Sequence, residues 1–477
     1  MTAVNRPSVV RVLGFAAAAS VIVCNVIGQG IFLKTRVMTC EVGSAFPVMG
    51  VWIVAGLLTL AGALSVAELG AMFPRSGGIY VFLRRAYGPI PAFAFGWMTF
   101  WVAAPAAIAA LASGAAIFLD ALSGHLLGAY TTAFTIFGLH VAVNGLQWVA
   151  LLLIAMVSAV NLAPVGFNGK IATMLTVVKI AMIAALAGIA FLLAHGSWTH
   201  FTMSAGNAPC AGVSAALRHG LPAFAAAFIA ALYAYQGWTV ITSIGGEIKN
   251  PNRTIPWALF ASTLAIIVCY LVANVAYFFA MTPHAIASLP ATSSIAVEII
   301  SRLSGHVGQS IAAAVLFIST IATLHTSTLS QSRMTYALTS DGVLFPMLGV
   351  VTSRSRVPAR AVLANGLVAA VLAVTGSFES LTNYYIFNVW LFNIATIVAV
   401  FVLRLREPNA VRPYRTWGYP VVPAVFVLVA TWIVVQTFVS SPRDSSIGLL
   451  IIAAGLVFYL YRSTRVGIRD IPDSETE

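Results

Sequence analysis

Apolar residues along this chain gather into long runs separated by short polar stretches. A helix that crosses a bilayer needs about 20 mostly apolar residues. Twelve runs qualify, centred on Val21, Leu58, Ala104, Leu152, Ala181, Ala231, Ile266, Phe317, Val368, Val389, Leu428 and Leu450. The reading is therefore an all-α integral membrane fold of twelve transmembrane helices with short loops. The longest loop runs from about His195 to His219.

Composition strengthens this reading. Of 477 residues, 60% are apolar and 8% charged, with a mean hydropathy of +0.95. A soluble domain carries about 25% charged residues. A soluble enzyme, a nucleic-acid binder and a disordered protein are all excluded on that ground. The stretch after Arg6 and Arg11 is too long for a cleaved signal, and many more runs follow it.

The net charge of +12 is distributed by topology. Nineteen of the 25 Lys and Arg residues fall on one side of the alternating spans, among them Arg6, Arg11, Lys170, Arg333, Arg354, Arg356, Arg462, Arg465 and Arg469. Lys34, Arg36, Arg218, Arg302 and Arg443 fall on the other, and Lys179 stays inside a span. The positive-inside rule then places both termini in the cytoplasm of a cell-membrane protein.

Two spans contain breakers at mid-depth. Span one reads Cys24-Asn25-Val26-Ile27-Gly28-Gln29-Gly30-Ile31-Phe32, and span six reads Tyr233-Ala234-Tyr235-Gln236-Gly237-Trp238-Thr239. Either could be a site of close helix packing. Together they point elsewhere, because they lie five spans apart. An odd number of spans inverts the second half against the first, and paired interruptions in inverted halves mark a transporter binding site. Where span one resumes, the N–H groups of Gly28, Gln29, Gly30 and Ile31 can face an anion. Where the first halves end, carbonyls near Val26, Tyr233 and Ala234 can face a cation. A carboxylate pole beside an ammonium pole suits an α-amino acid and needs no charged side chain.

Further motifs carry a resemblance. Span two ends Ala67-Glu68-Leu69-Gly70-Ala71-Met72-Phe73-Pro74-Arg75-Ser76-Gly77-Gly78, followed by Tyr87-Gly88-Pro89. Span six ends Gly245-Gly246-Glu247-Ile248-Lys249-Asn250-Pro251. Ser332-Arg333 and Asp341-Gly342 follow span eight, and Arg412-Pro413-Tyr414 follows span ten. With Ile27-Gly28-Gln29-Gly30-Ile31-Phe32, these resemble the amino acid–polyamine–organocation superfamily, and most nearly its L-type amino acid transporter and exchanger branch. The resemblance implies a leucine-transporter-type fold in one transmembrane domain. Its five-plus-five inverted repeats would cover about 9–195 and 220–405, with broken helices one and six and two extra helices at about 418–465. It implies substrate contacts at Val26, Ile27, Gly28, Gln29, Gly30, Ile31, Tyr233, Ala234, Gln236, Gly237 and Trp238, with Tyr233 as an outer cap.

The chain departs from the family pattern at Gln29, Gln236, Ile79 and Gly246. The two glutamines would shrink the pocket or hydrogen-bond the ligand's side chain, which leans toward small or polar neutral amino acids. Lys179 has two readings: a side chain that snorkels to the interface, or a buried ammonium bridging spans one and eight. In the family a lysine there stands where sodium-coupled relatives bind a cation, so transport should be sodium-independent. Whether it carries a proton or acts as a fixed tether stays open. Glu68 and Glu247 read as gating or structural ion pairs. Asn388, Asn393, Ser319, Thr320 and Thr323 could line the pathway, but Ser and Thr on helix–helix faces are more often packing residues, and these five are left out of the expected site.

Cys40 and Cys210 fall on the same outer side, and a disulfide between them is one outcome that spacing does not decide. His195, His200, His219, His284 and His306 lie in or near outer loops without metal spacing, so no metal or cofactor is expected. Some relatives join a single-span glycoprotein through a cysteine between spans three and four. The loop from Asp120 to about Leu139 has none, so no such partner is expected. The expected partners are an amino acid substrate and membrane lipid, with no nucleic acid. The function that follows is exchange or proton symport of neutral L-amino acids. A polyamine or organic-cation permease and a non-transporting amino acid sensor are the competing readings.

Overall fold

In the computed structural model the chain is described over residues 11–466, apart from 12, 76, 137–138, 164, 215–217, 219, 341–343, 351–356 and 377. Arg6, Ser76, His219, Asp341, Gly342, Arg354, Arg356, Arg469 and the two terminal tails lie outside the described residues, as do the side chains of Lys170, Arg333, Arg462 and Arg465.

Span one is two helices, α1 (Phe15–Val26) and α2 (Gly30–Val42), whose axes differ by 44°. Next come α3 (Ala45–Met72), α4 (Ile79–Tyr87) and α5 (Pro89–Met98). A π-helical stretch, Thr99–Ala103, joins α5 to α6 (Ala104–Leu122). The short α7 (Leu126–Ala129) leads into an antiparallel hairpin of β1 (Thr131–Ile136) and β2 (Leu139–Asn144). Then follow α8 (Gly145–Asn161), α9 (Val165–Leu193), α10 (Gly220–Tyr235), the one-turn α11 (Val240–Ser243) and α12 (Pro251–Ala280). The remainder is α13 (Pro283–Ala287), α14 (Ile295–Ser340, kinked at Gly305), α15 (Ala359–Thr375), α16 (Phe378–Arg406), α17 (Val421–Ser440) and α18 (Pro442–Val466).

Seven of these helices, and the α1/α2 pair as one bent unit, are long and apolar enough to cross a membrane. Four shorter apolar helices accompany them: Gly145–Asn161, Val177–Leu193, Gly220–Tyr235 and Ala359–Thr375. The protein is a multi-span helical membrane protein. The β1–β2 hairpin is the one departure from an all-helical chain among the described residues, and it occupies the segment read from sequence as a loop.

The helix running through Pro89–Leu122 is the most buried of the long ones, and α6 packs against α8, α14, α15 and α16. α12 lies along α3, and α10 lies on α2 and α3. α17 and α18 are the least buried. They turn Leu428, Val439, Leu450 and Val457 outward, as helices facing lipid must.

Loops gather on two faces. On one, Leu13 pairs with Glu247 and Lys249, Gly77 donates to Ser243, and Arg85 reaches Glu407. This face carries most of the arginines and is called the basic face below. On the opposite face Cys40 and Cys210 form a disulfide. Cys40 sits in the last turn of α2, not in a loop, because α2 continues helical to Val42. Lys34 and Arg36 likewise lie in α2 and are buried, each 2% exposed or less. Arg36 donates to the carbonyls of Leu289 and Ala211, so loop 195–219 and the segment after α13 are tied to the end of α2.

Candidate functional site

The helix of span one stops because Ile27 turns extended (φ −72°, ψ 93°), and it restarts at Gly30. The N–H groups of Gly28, Gln29, Gly30 and Ile31 find no backbone acceptor among the described residues. They form the open, positive end of α2. Span six breaks at Gly237, whose φ of 117° favours glycine. A Cβ there would lie 2.7 Å from the amide nitrogen of Asn25, which itself donates to the Gly237 carbonyl at 3.2 Å. The two breaks are thus fastened to each other.

The two glycines of span one do different work. A Cβ on Gly30 would lie 2.7 Å from the Cα of Ala234, so Gly30 lets α2 and α10 touch through their backbones. A Cβ on Gly28 would meet Thr323 at 3.7 Å and the Val26 carbonyl at 4.0 Å, both ordinary contacts. The close-packing reading therefore describes Gly30, and the open-backbone reading describes Gly28.

The carbonyls at the ends of α1 and α10 are already engaged. Lys179 is fully buried, and its Nζ donates to the carbonyls of Cys24 (2.9 Å) and Ile27 (3.0 Å) and to Thr323 Oγ1 (2.5 Å). Thr323 passes its own proton to the Ser319 carbonyl, so its oxygen is open to the ammonium. The side chain therefore bridges α9, α1 and α14 and does not snorkel. Tyr270 of α12, also fully buried, aims one hydroxyl at the carbonyls of both Val26 (3.0 Å) and Ala234 (2.8 Å). Trp52 and Tyr235 pack edge-on or tilted around its ring. The sequence reading held Val26 and Ala234 for a ligand; Tyr270 takes a share of each.

Between the breaks lies a cavity of about 150 Å³. Val26, Gly28, Gln29, Gly30, Tyr233, Ala234, Gln236 and Gly237 line it. Of the residues expected there, Ile27, Ile31 and Trp238 do not. The Ile27 carbonyl is held by Lys179, the Ile31 side chain is buried in the core, and Trp238 turns toward Gly62 of α3. Other walls come from Phe95, Thr99 and Ala103 around the π-helical stretch, from Thr323 and Ser327 of α14, and from Tyr385 and Val389 of α16. Toward the basic face the lining continues through Ile79, Ser243, Gln331 and Met334. Among the described residues no charged side chain lines the cavity. Three buried polar atoms on its wall, Gln29 Oε1, Thr99 Oγ1 and Gln236 Oε1, have no hydrogen-bond partner among the described residues.

Gln29 lies on the cavity wall. Its Nε2 donates to the Ala110 carbonyl (2.9 Å) and to Tyr233 Oη (3.0 Å). The amide fits because residue 114 is glycine: a Cβ there would overlap it. Tyr233 packs edge-on against Phe378 and Tyr385 of α16.

Glu68 and Glu247 stand apart from the cavity. Buried Glu68 takes both arms of Arg404 (2.9 and 2.6 Å), the Thr416 N–H and hydroxyl (2.8 Å each) and Arg412 at 3.4 Å. Arg404 lies 3.7 Å above the Tyr419 ring. Burial pushes the neighbouring Tyr414 hydroxyl up to about 12, so it stays neutral beside this cluster. Glu247 joins the chain start to span six through its backbone, its carbonyl accepting from Leu13 N–H at 2.9 Å. Asn388 faces Gly448 of α18 rather than the cavity.

The chain is 30% identical to the b(0,+)-type amino acid transporter 1 of Rattus norvegicus, over 95% of this chain and 88% of the relative. It is 27% identical to the serine/threonine exchanger SteT of Bacillus subtilis, over 94% and 95%. It is also 27% identical to the human cystine/glutamate transporter, over 93% and 83%. The amino acid permease family model matches residues 13–461, and the chain belongs to that family.

Proposed function

We propose that this protein is a secondary transporter that carries neutral L-amino acids across the cell membrane by alternating access, through exchange or proton symport and without sodium. The observation that carries the reading is the cavity: two broken helices wall it and no charged side chain lines it among the described residues. An α-amino acid brings its own two opposite charges. Its carboxylate meets the unpaired N–H groups at the start of α2, around Gly28. Its ammonium meets the second lone pairs of the Val26 and Ala234 carbonyls, opposite Tyr270. Gln236 Oε1 and Thr99 Oγ1 are placed for a small polar side chain. Peptide dipoles then do the work that charged side chains would do at a prohibitive desolvation cost.

Lys179 supplies a fixed cation at the negative end of the α1 half-helix, where a bound ion would otherwise sit. That is the basis for sodium independence. In this reading the twelve apolar helices all cross the bilayer. Residues 9–195 and 220–405 form the two inverted repeats, 418–465 adds two helices, and the basic face is cytoplasmic. No disulfide-linked glycoprotein is required, since the cysteines of the opposite face are joined within the chain. The test is uptake of a panel of labelled amino acids into proteoliposomes, with and without a pH gradient, internal amino acid and sodium. Uptake of serine-sized neutral amino acids with choline in place of sodium is expected. A strict sodium requirement, or putrescine uptake that no amino acid inhibits, overturns the reading.

A further inference from the structure

The basic face carries a second cavity, which shares no residue with the one between the breaks. Arg11, Pro74, Asn250, Pro251, Asn252 and Arg253 line it. Both arginines are exposed, and neither has a side-chain partner among the described residues. Among those residues no acidic side chain lines the cavity. Two guanidinium groups on one hollow repel each other unless an anion lies between them. The position of the hollow also matters. Arg11 lies just before α1. Leu13, two residues on, donates its N–H to the Glu247 carbonyl at 2.9 Å, and its own carbonyl accepts from Lys249 N–H at 2.8 Å. Arg253 lies in the first turn of α12, which packs along α1. The cavity therefore straddles the seam where the start of α1 is clasped to the segment joining span six to α12.

We infer that this cavity binds a phosphate group, carried by a phospholipid headgroup or free in solution, and that the bound anion holds the basic face closed. Guanidinium forks match phosphate oxygens two at a time, so one phosphate can engage both arginines. Bound there, it joins Arg11 to Arg253 across the seam and adds to the two backbone bonds of Leu13. Opening toward the basic face parts the start of α1 from α12 and leaves the anion on one arginine. An arginine near a membrane surface contributes about fivefold to binding an anionic headgroup. The filled site therefore favours the closed arrangement by about the same factor.

The effect on closure rests on the proposed transport function; the binding does not. The experiment reconstitutes the wild type, the double variant Arg11→Gln/Arg253→Gln, and Arg415→Gln. The last removes an exposed arginine of the basic face that lies outside the cavity. Vesicles are phosphatidylcholine alone, phosphatidylcholine with phosphatidylglycerol, or phosphatidylcholine with inorganic phosphate against chloride at equal ionic strength. Thermal unfolding and initial serine exchange are measured in each. An anion should raise the unfolding midpoint and slow exchange by about fivefold in the wild type and Arg415→Gln, and do neither in the double variant. A response to phosphatidylglycerol alone assigns the headgroup; a response to phosphate assigns the free ion. No response of the wild type to either, or an equal response of the double variant, overturns the site. A raised midpoint with unslowed exchange overturns the closure. A wild type whose midpoint responds but which exchanges no serine overturns the transport reading instead.

Discussion

The sharpest prediction concerns Lys179→Met. Methionine keeps most of the aliphatic stem and removes the ammonium together with three hydrogen bonds, to Cys24 O, Ile27 O and Thr323 Oγ1. Two buried carbonyls are left short of a donor, at about 1–3 kcal/mol each. A favourable charge at a helix C-terminus is also lost, worth up to about 2 kcal/mol when partly buried. Against this, the variant no longer buries an ion, which recovers several kcal/mol. The terms nearly cancel in global stability, so the variant should fold and reach the membrane. They do not cancel at the site. The end of α1 is no longer tied to α9 and α14, and the backbone at 27–29 that presents the N–H groups loses its anchor. A positional penalty of about 2–4 kcal/mol corresponds to a fall in kcat/KM of roughly 30- to 1000-fold. The assay is initial serine uptake into proteoliposomes at equal reconstituted protein, with thermal unfolding as the control for folding. Uptake within threefold of wild type, at any sodium concentration, would refute the claim that this ammonium organises the site.

Two further predictions separate packing from function. Gly30→Ala should lower both the melting temperature and serine affinity, since its Cβ would press on the Ala234 backbone at 2.7 Å. Gly28→Ala has room, so it should melt within about 2 °C of wild type yet bind serine about tenfold more weakly, the value of one charge-assisted hydrogen bond. Identical effects of the two substitutions in fluorescence melting and equilibrium binding would contradict the distinction. Glu68→Gln should cost on the order of 3 kcal/mol of stability, because it leaves Arg404 and Arg412 without their shared carboxylate. An unchanged unfolding midpoint in detergent would show that this cluster holds nothing together.

How far the sequence was legible depended on what kind of signal each feature leaves. The breaks announce themselves, because glycine and amide residues are costly inside an apolar helix. Lys179 also stands out, as a lone charge within an apolar run. Glu68 could be read as an ion-pair residue, because arginines recur at the same depth. Tyr270 left no trace: within an apolar run a tyrosine counts as hydrophobic, and its hydroxyl's partners lie on two other helices. The π-helical stretch Thr99–Ala103 is silent too, since one extra residue per turn leaves hydropathy unchanged. Gln29 was visible, but its role depended on Gly114, 85 positions away, whose missing side chain provides the notch. Lys34 and Arg36 misled in the other direction. Charge suggests a span's outer end, yet α2 is surrounded by protein there and keeps both residues buried.

The break in span one has a mechanical consequence that its amides alone do not explain. α1 ends under Lys179 and is held to α9 and α14, while α2 is held backbone to backbone against α10 and, through its far end, to loop 195–219. A continuous helix would force these two sets of partners to move together. With the N–H groups of residues 28–31 making no helical bond among the described residues, the backbone does not couple the two halves rigidly. In the proposed transport cycle, releasing the Lys179 contacts together with those of Asn25 and Val26 would free α1 toward the basic face, and releasing those of Gln29 and Tyr233 would free α2 and α10 toward the opposite face. In that cycle the residues that expose peptide dipoles to a substrate would also serve as the hinge that lets each end open alone. Alternating access requires both properties at one place, which is why the unwound turn lies at the cavity and not at either end of the span.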